Sequence, residues 1–120
     1  YENNIIMSGV SAGAICWFKK GITDSWKDSQ ATIDCLGFVE GICCPHYDEE
    51  PERIPYVKEI LEANEITECY GIEGYAALHL IDDKPRYNIS FKKDTSCHHV
   101  FLGNNKVHHK NIDGTIEVDL

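Results

Sequence analysis

Ile5-Ile6-Met7-Ser8-Gly9-Val10-Ser11-Ala12-Gly13-Ala14-Ile15-Cys16-Trp17-Phe18-Lys19-Lys20-Gly21 is the stretch on which the reading of this sequence turns. Its first three residues are an apolar run that reads as a buried strand. Gly9-x-Ser11-x-Gly13 then forms a tight turn of small residues. From about Ser11 the pattern predicts a helix that stops at Gly21, with Lys19 and Lys20 complementing the negative end of its dipole. Strand, tight turn and helix make the first unit of an α/β domain.

The rest of the chain extends that unit. Residues 22–34 are polar and turn-rich. Leu36 to Cys44 is apolar enough for a strand, which Pro45 ends, and 47–52 is an acidic loop. Apolar residues at 54, 57, 60 and 61 predict a helix over 54–63, with Pro55 confined to its first turn. Glu68 to Ile72 and Tyr75 to Ile81 read as short strands around Glu73-Gly74. Asp82-Asp83-Lys84-Pro85 reads as a hairpin turn into residues 86–91, and 99–102 and 116–120 read as weaker strands. No repeat or linker interrupts the sequence, which reads as one α/β domain over residues 1–120.

Composition narrows the function. The 120 residues carry 11 Lys and Arg against 20 Asp and Glu, a formal charge of −9. Binding to nucleic acid or to an anionic membrane needs a cationic footprint, so neither partner is expected. No apolar run approaches the ~20 residues of a membrane span, and no leader-like segment opens the sequence, so it reads as cytoplasmic. Six cysteines with no repeated spacing, in a chain with ample apolar residues, read as reduced and mostly buried thiols.

A serine on a strained strand-to-helix turn exposes its hydroxyl, while the N–H of the following residue, here Ala12, faces a developing oxyanion. The plainer reading is a glycine-rich turn with a capping serine. A nucleophilic serine needs a base and an orienting acid. His46 stands out in Cys44-Pro45-His46-Tyr47 because it ends a strand, where open α/β sheets place their ligand crevice. Glu73, between glycines in Gly71-Ile72-Glu73-Gly74, is poorly explained as a solvated charge. Arg53 reads either as a local partner of Glu49, Glu50 or Glu52 or as a bidentate clamp for a carboxylate. Asp24 lies in the polar loop after the nucleophile segment. The pairs His98-His99 and His108-His109 each direct only one ring to a given face of a strand, so no metal is expected.

Taken in order, Gly9-Val10-Ser11-Ala12-Gly13-Ala14, Thr23-Asp24-Ser25, Cys44-Pro45-His46-Tyr47 and Gly71-Ile72-Glu73-Gly74 resemble the peptidase E (aspartyl dipeptidase) family of serine peptidases, family S51, related to cyanophycinase. The resemblance covers roughly residues 5–95. It implies part of a doubly wound, mostly parallel sheet of class I glutamine-amidotransferase type, with a C-terminal hairpin. It also implies a triad of Ser11, His46 and Glu73, an oxyanion donor at Ala12, and substrate contacts at Arg53 and Asp24. The implied reaction is hydrolysis of short peptides after an N-terminal aspartate, through an acyl-enzyme and without cofactor or metal.

Members of that family are about twice this long, and the half before the nucleophile strand has no counterpart here. By resemblance, that half supplies sheet strands and the second oxyanion donor. Losing one such donor costs about 10²–10³ in rate, so the chain alone is expected to be a weak catalyst or none. Pairing with another copy or with the missing half would cover the apolar edge at Ile5-Ile6-Met7. Three other readings compete. One is an α/β-hydrolase-type esterase using Ser11, Asp82 and His98 or His99; the others are a non-catalytic assembly module and a metal-binding Cys/His domain.

Overall fold

The computed structural model describes residues 5–23, 30–63, 65–112 and 114–118. β3 (Val39–Cys44), with Val39, Ile42, Cys43 and Cys44 buried, lies inside a six-stranded sheet. It is flanked on one side by β1 (Phe18–Thr23) and β2 (Ala31–Asp34). On the other side come β4 (Glu68–Ile72), β7 (Cys97–Gly103) and β8 (Lys106–Asn111). The order is β2-β1-β3-β4-β7-β8. Within this sheet β1/β3 and β3/β4 pair in parallel, whereas β1/β2, β4/β7 and β7/β8 are antiparallel. The fold is α/β with a mixed sheet, which corrects the expectation of a mostly parallel one.

A strand buried on both faces needs two covers. One is α2 (Arg53–Glu62), whose Val57, Ile60 and Leu61 pack against Ile22, Ile42, Cys44, Cys69 and Val100. Val57, Ile60 and Leu61 each contribute about 1.5–3 kcal/mol by leaving water. Ile54, on the same sequence periodicity, is about half exposed. The opposite face gathers Ile15, Phe18, Val39, Cys43 and Tyr70. Over it lie Leu78 and Leu80 of β5 (Ala76–Ile81), which forms a second sheet with β6 (Lys84–Ser90) and β9 (Thr115–Glu117).

Two hairpins use the same turn chemistry. Asp82 and Asp83 join β5 to β6, and Asn104 and Asn105 join β7 to β8; all four residues have positive φ. A two-residue type I′ turn demands this, and Asp and Asn tolerate it.

Two local expectations fail around Ser11. The predicted helix over 11–21 is only α1 (Ala12–Ile15), and Phe18–Thr23 is strand instead. Pairing with β3 and burial of Phe18 and Ile22 outweigh a weak helical pattern. Gly21 is therefore not a helix stop. A Cβ there would lie 2.7 Å from the Ile15 Cβ, so glycine is what lets α1 rest on β1. Residues 5–7, read as a buried strand, have no regular structure, and Ile6 is 93% exposed. A strand exists only through its ladder, and no described strand pairs with them.

Candidate active site

Ser11 sits at the N-terminal boundary of α1 with φ 53° and ψ −116°, outside the regions open to most side-chain-bearing residues. Its hydroxyl makes no capping bond to the helix. Instead its Oγ lies 3.1 Å from His46 Nε2. The capping-serine reading does not describe this side chain. Gly9 makes the turn possible, because a Cβ there would fall 2.0 Å from the Gly13 carbonyl oxygen. Gly13 is not constrained in this way: a Cβ there meets nothing within 4 Å.

The two glycines should therefore separate cleanly on substitution. Gly9→Ala is expected to displace the turn and slow covalent modification of Ser11 at least about tenfold, because the clashing atom is backbone and cannot rotate away. Gly13→Ala, inside α1, is expected to leave that rate within twofold and raise stability by up to about 1 kcal/mol. Rates of modification by a fluorophosphonate and urea midpoints would check both.

His46 follows the carboxyl end of β3, also at positive φ (55°). Its Nδ1 lies 3.0 Å from Glu49 Oε1. The loop carrying both residues docks on the turn after β4. Tyr47 N–H donates to the Ile72 carbonyl, at 3.0 Å, and Gly74 N–H donates to Asp48 Oδ1, at 2.8 Å. The Tyr47 ring occupies the space a Cβ on Gly71 would need, and the Glu49 carboxylate does the same at Gly74. The Gly-Ile-Glu-Gly stretch thus serves His46 through its glycines.

Glu73 does not meet His46. Its carboxylate is hydrogen-bonded to His98 Nε2, and Ser96 Oγ donates to it at 3.4 Å. His98 stacks in turn on His109, with centroids 4.7 Å apart, and lies against Tyr47. His98 Nδ1 is buried and has no hydrogen-bond partner among the described residues. Burial, reinforced by neighbouring His98, holds the His109 imidazole below its ordinary pKa. His99 pairs with Glu68, so neither His98 nor His99 forms the hydrolase-type constellation with Ser11.

Arg53 is only 3% exposed. Its Nε donates to Glu50 Oε2 and its guanidinium to the Ile22 carbonyl, each at 2.8 Å, tying the start of α2 to β1. It does not line the cleft that opens at Ser11. Asp24 lies outside the described residues. Ala12 follows Ser11 directly as the first residue of α1, so its N–H is one of the donors that a helix start leaves without an intrahelical acceptor.

All six cysteines are free thiols, four of them buried. Burial pushes Cys44 and Cys97 up to about 12 and holds Cys43 and Cys69 well above the ordinary thiol value. These four remain protonated near neutrality and are poor nucleophiles. Among the described residues, no group of three or more His, Cys, Asp and Glu side chains is placed to hold a metal ion. No described helix is long and apolar enough to cross a membrane.

The stretch that carries Ser11 and His46 also matches a known family. The model of peptidase family S51 matches residues 1–87. The chain belongs to this family. It is also 33% identical over 107 residues to a Bacillus subtilis (strain 168) protein named "Uncharacterized peptidase YgaJ". That alignment covers 89% of this chain and 46% of the relative, so the chain spans about half the length of the relative it matches. Ser11, His46, Glu49 and Glu73 all fall within the residues matched to family S51, whereas His98 and His109 lie beyond them.

Glu49 is the site residue that sequence reasoning missed as a partner for His46. The signal was local. It stands three residues after His46, within one turn of chain, and the acidic loop around it masked that spacing.

Proposed function

We propose that this chain carries the nucleophile half of a serine peptidase that hydrolyses short peptides through an acyl-enzyme. The observation that carries the reading is the 3.1 Å contact between Ser11 Oγ and His46 Nε2, made by a serine in a strained turn. Ser11 attacks the scissile carbonyl as its proton passes to His46 Nε2. Glu49 accepts the Nδ1–H of His46, which fixes the tautomer and stabilises the imidazolium that forms. The Ala12 N–H receives the oxyanion. His46 then protonates the leaving amine, and a water molecule, activated by the same imidazole, releases the acid. The parallel β1, β3 and β4 with cover on both faces support a doubly wound sheet of glutamine-amidotransferase type as the parent fold.

The aspartate-directed form of this reading requires a cation at the cleft. Arg53 is committed to Glu50 and Ile22, so the support for that form is the family resemblance alone.

A fluorophosphonate, which traps activated serines, tests the proposal. One adduct per chain is expected, mapped to Ser11 by peptide mass spectrometry and suppressed by His46→Ala. Absence of an adduct, or an adduct on another residue, would overturn it.

A further inference from the structure

β3 and β4 pair in parallel through Ile42↔Cys69, Cys43↔Tyr70 and Cys44↔Gly71, and there the regular ladder ends. Pro45 follows, with no N–H to continue it. His46 comes next at φ 55°, a conformation that a side-chain-bearing residue holds only where its surroundings impose it. Contact with the β4 chain resumes one residue later, where Tyr47 N–H donates to the Ile72 carbonyl at 3.0 Å. Asp48 extends that contact: its Oδ1 stands in for a backbone carbonyl and accepts the Gly74 N–H at 2.8 Å. His46 is thus bulged out between two held stretches of chain, with its Nε2 3.1 Å from Ser11 Oγ. The receiving side is itself fixed, because Ile72 pairs with Cys97 of β7 and Glu73 N–H donates to the Ser96 carbonyl at 3.3 Å. Asp48 is exposed, so packing in the core does not account for its placement.

We infer that Asp48 is a positioning residue for this site: it closes the bulge that holds His46 against Ser11, and it acts through its hydrogen bond rather than its charge. The inference rests on the reading of Ser11 as nucleophile and His46 as its base. Without the bond to Gly74, the chain after His46 keeps the Tyr47 contact but loses the anchor beyond it, and the strained φ at position 46 can relax. The imidazole then drifts from Ser11 Oγ, and a displacement of about 1 Å at a reacting group can cost about 10²-fold in rate. Asparagine at position 48 still presents a carbonyl oxygen to the Gly74 N–H, which alanine cannot do.

Asp48→Ala and Asp48→Asn test the inference on the full chain. Three quantities are measured: the second-order rate at which a fluorophosphonate modifies Ser11, the urea midpoint, and the downfield imidazole N–H proton resonance that His46→Ala lacks. That resonance reports the His46 Nδ1–H held at 3.0 Å from Glu49 Oε1. Asp48→Ala is expected to lower the rate at least about tenfold and to lose the resonance, whereas Asp48→Asn stays within about threefold and keeps it. A lowered urea midpoint with an unchanged rate, or an Asp48→Ala chain that does not fold, would make Asp48 a structural residue and overturn the inference. Equal losses of rate in the two variants would assign the effect to charge and overturn it as well. If Ser11 of the unaltered chain does not react, the nucleophile reading falls and the resonance alone decides the role of Asp48. Its retention in Asp48→Asn and loss in Asp48→Ala would uphold the anchoring of His46, and any other pattern would overturn it.

Discussion

Ser11→Ala is expected to lower both peptide hydrolysis and fluorophosphonate modification by about 10⁴-fold or more while leaving the fold nearly as stable as before. The activity side follows from the chemistry, because Ser11 Oγ is the hydroxyl held against His46 Nε2. The buried thiols of Cys43, Cys44, Cys69 and Cys97 are held protonated by their surroundings. The stability side separates a nucleophile from a cap. A serine that caps a helix costs about 0.5–2 kcal/mol when replaced by alanine. Ser11 makes no such bond, and alanine would occupy the same strained backbone, so the urea midpoint should barely move. A variant that loses stability but retains its rate of modification would return Ser11 to a structural role. The rate of covalent modification is measurable without turnover, so the test does not depend on peptide hydrolysis.

How far the fold was legible depended on whether a segment's own pattern agreed with its surroundings. The helix over 53–62 and the strand over 68–72 carry strong local signals, and each appears within a residue of its expected bounds. Between Ser11 and Thr23 the local signal was weak. The apolar residues there fit a helix or a strand, and only the parallel pairing to β3 decides between them, which no local pattern encodes. β8 was missed for a related reason. Its residues Lys106-Val107-His108-His109-Lys110-Asn111 are mostly polar because it is an edge strand with little to bury. The turn that begins it, Asn104-Asn105, was the available clue.

The site divides along the same line. Ser11 and His46 were legible because each sits at an element boundary where a strand meets a turn, and the fold brings their side chains into contact. Arg53 was ambiguous in sequence, since a guanidinium among carboxylates suits a clamp or a local ion pair equally well. In the structure it is buried and holds α2 to β1. The acid partner of His46 was harder still. Two glutamates lie in segments that touch one another, and sequence distance does not say which of them reaches the imidazole.

Glu49→Gln and Glu73→Gln should therefore have opposite signatures. Glu49 is about half exposed and bonded to His46 Nδ1, so its amide analogue loses the charge that favours the imidazolium and can present the wrong group to the ring. The expected result is a fall in kcat of about 10²–10⁴-fold with little change in stability, as when the orienting acid of a serine triad becomes its amide. Glu73 is only 15% exposed and is bonded to His98, whose ring packs against His109 and Tyr47. Replacing it leaves a buried imidazole facing a weaker partner, which is expected to cost about 1–3 kcal/mol of stability and less than tenfold in kcat. His98→Phe combined with Glu73→Leu should cost less stability than either change alone, because removing both members of a buried polar pair leaves neither of them unpaired. Kinetics and urea unfolding on the three variants distinguish the assignments. A large kcat loss confined to Glu73→Gln, with Glu49→Gln near normal, would make Glu73 the acid of the triad. The loop carrying His46 would then have to swing from Glu49 to Glu73 when substrate enters, and the bond between Gly74 N–H and Asp48 Oδ1 that pins it would have to open.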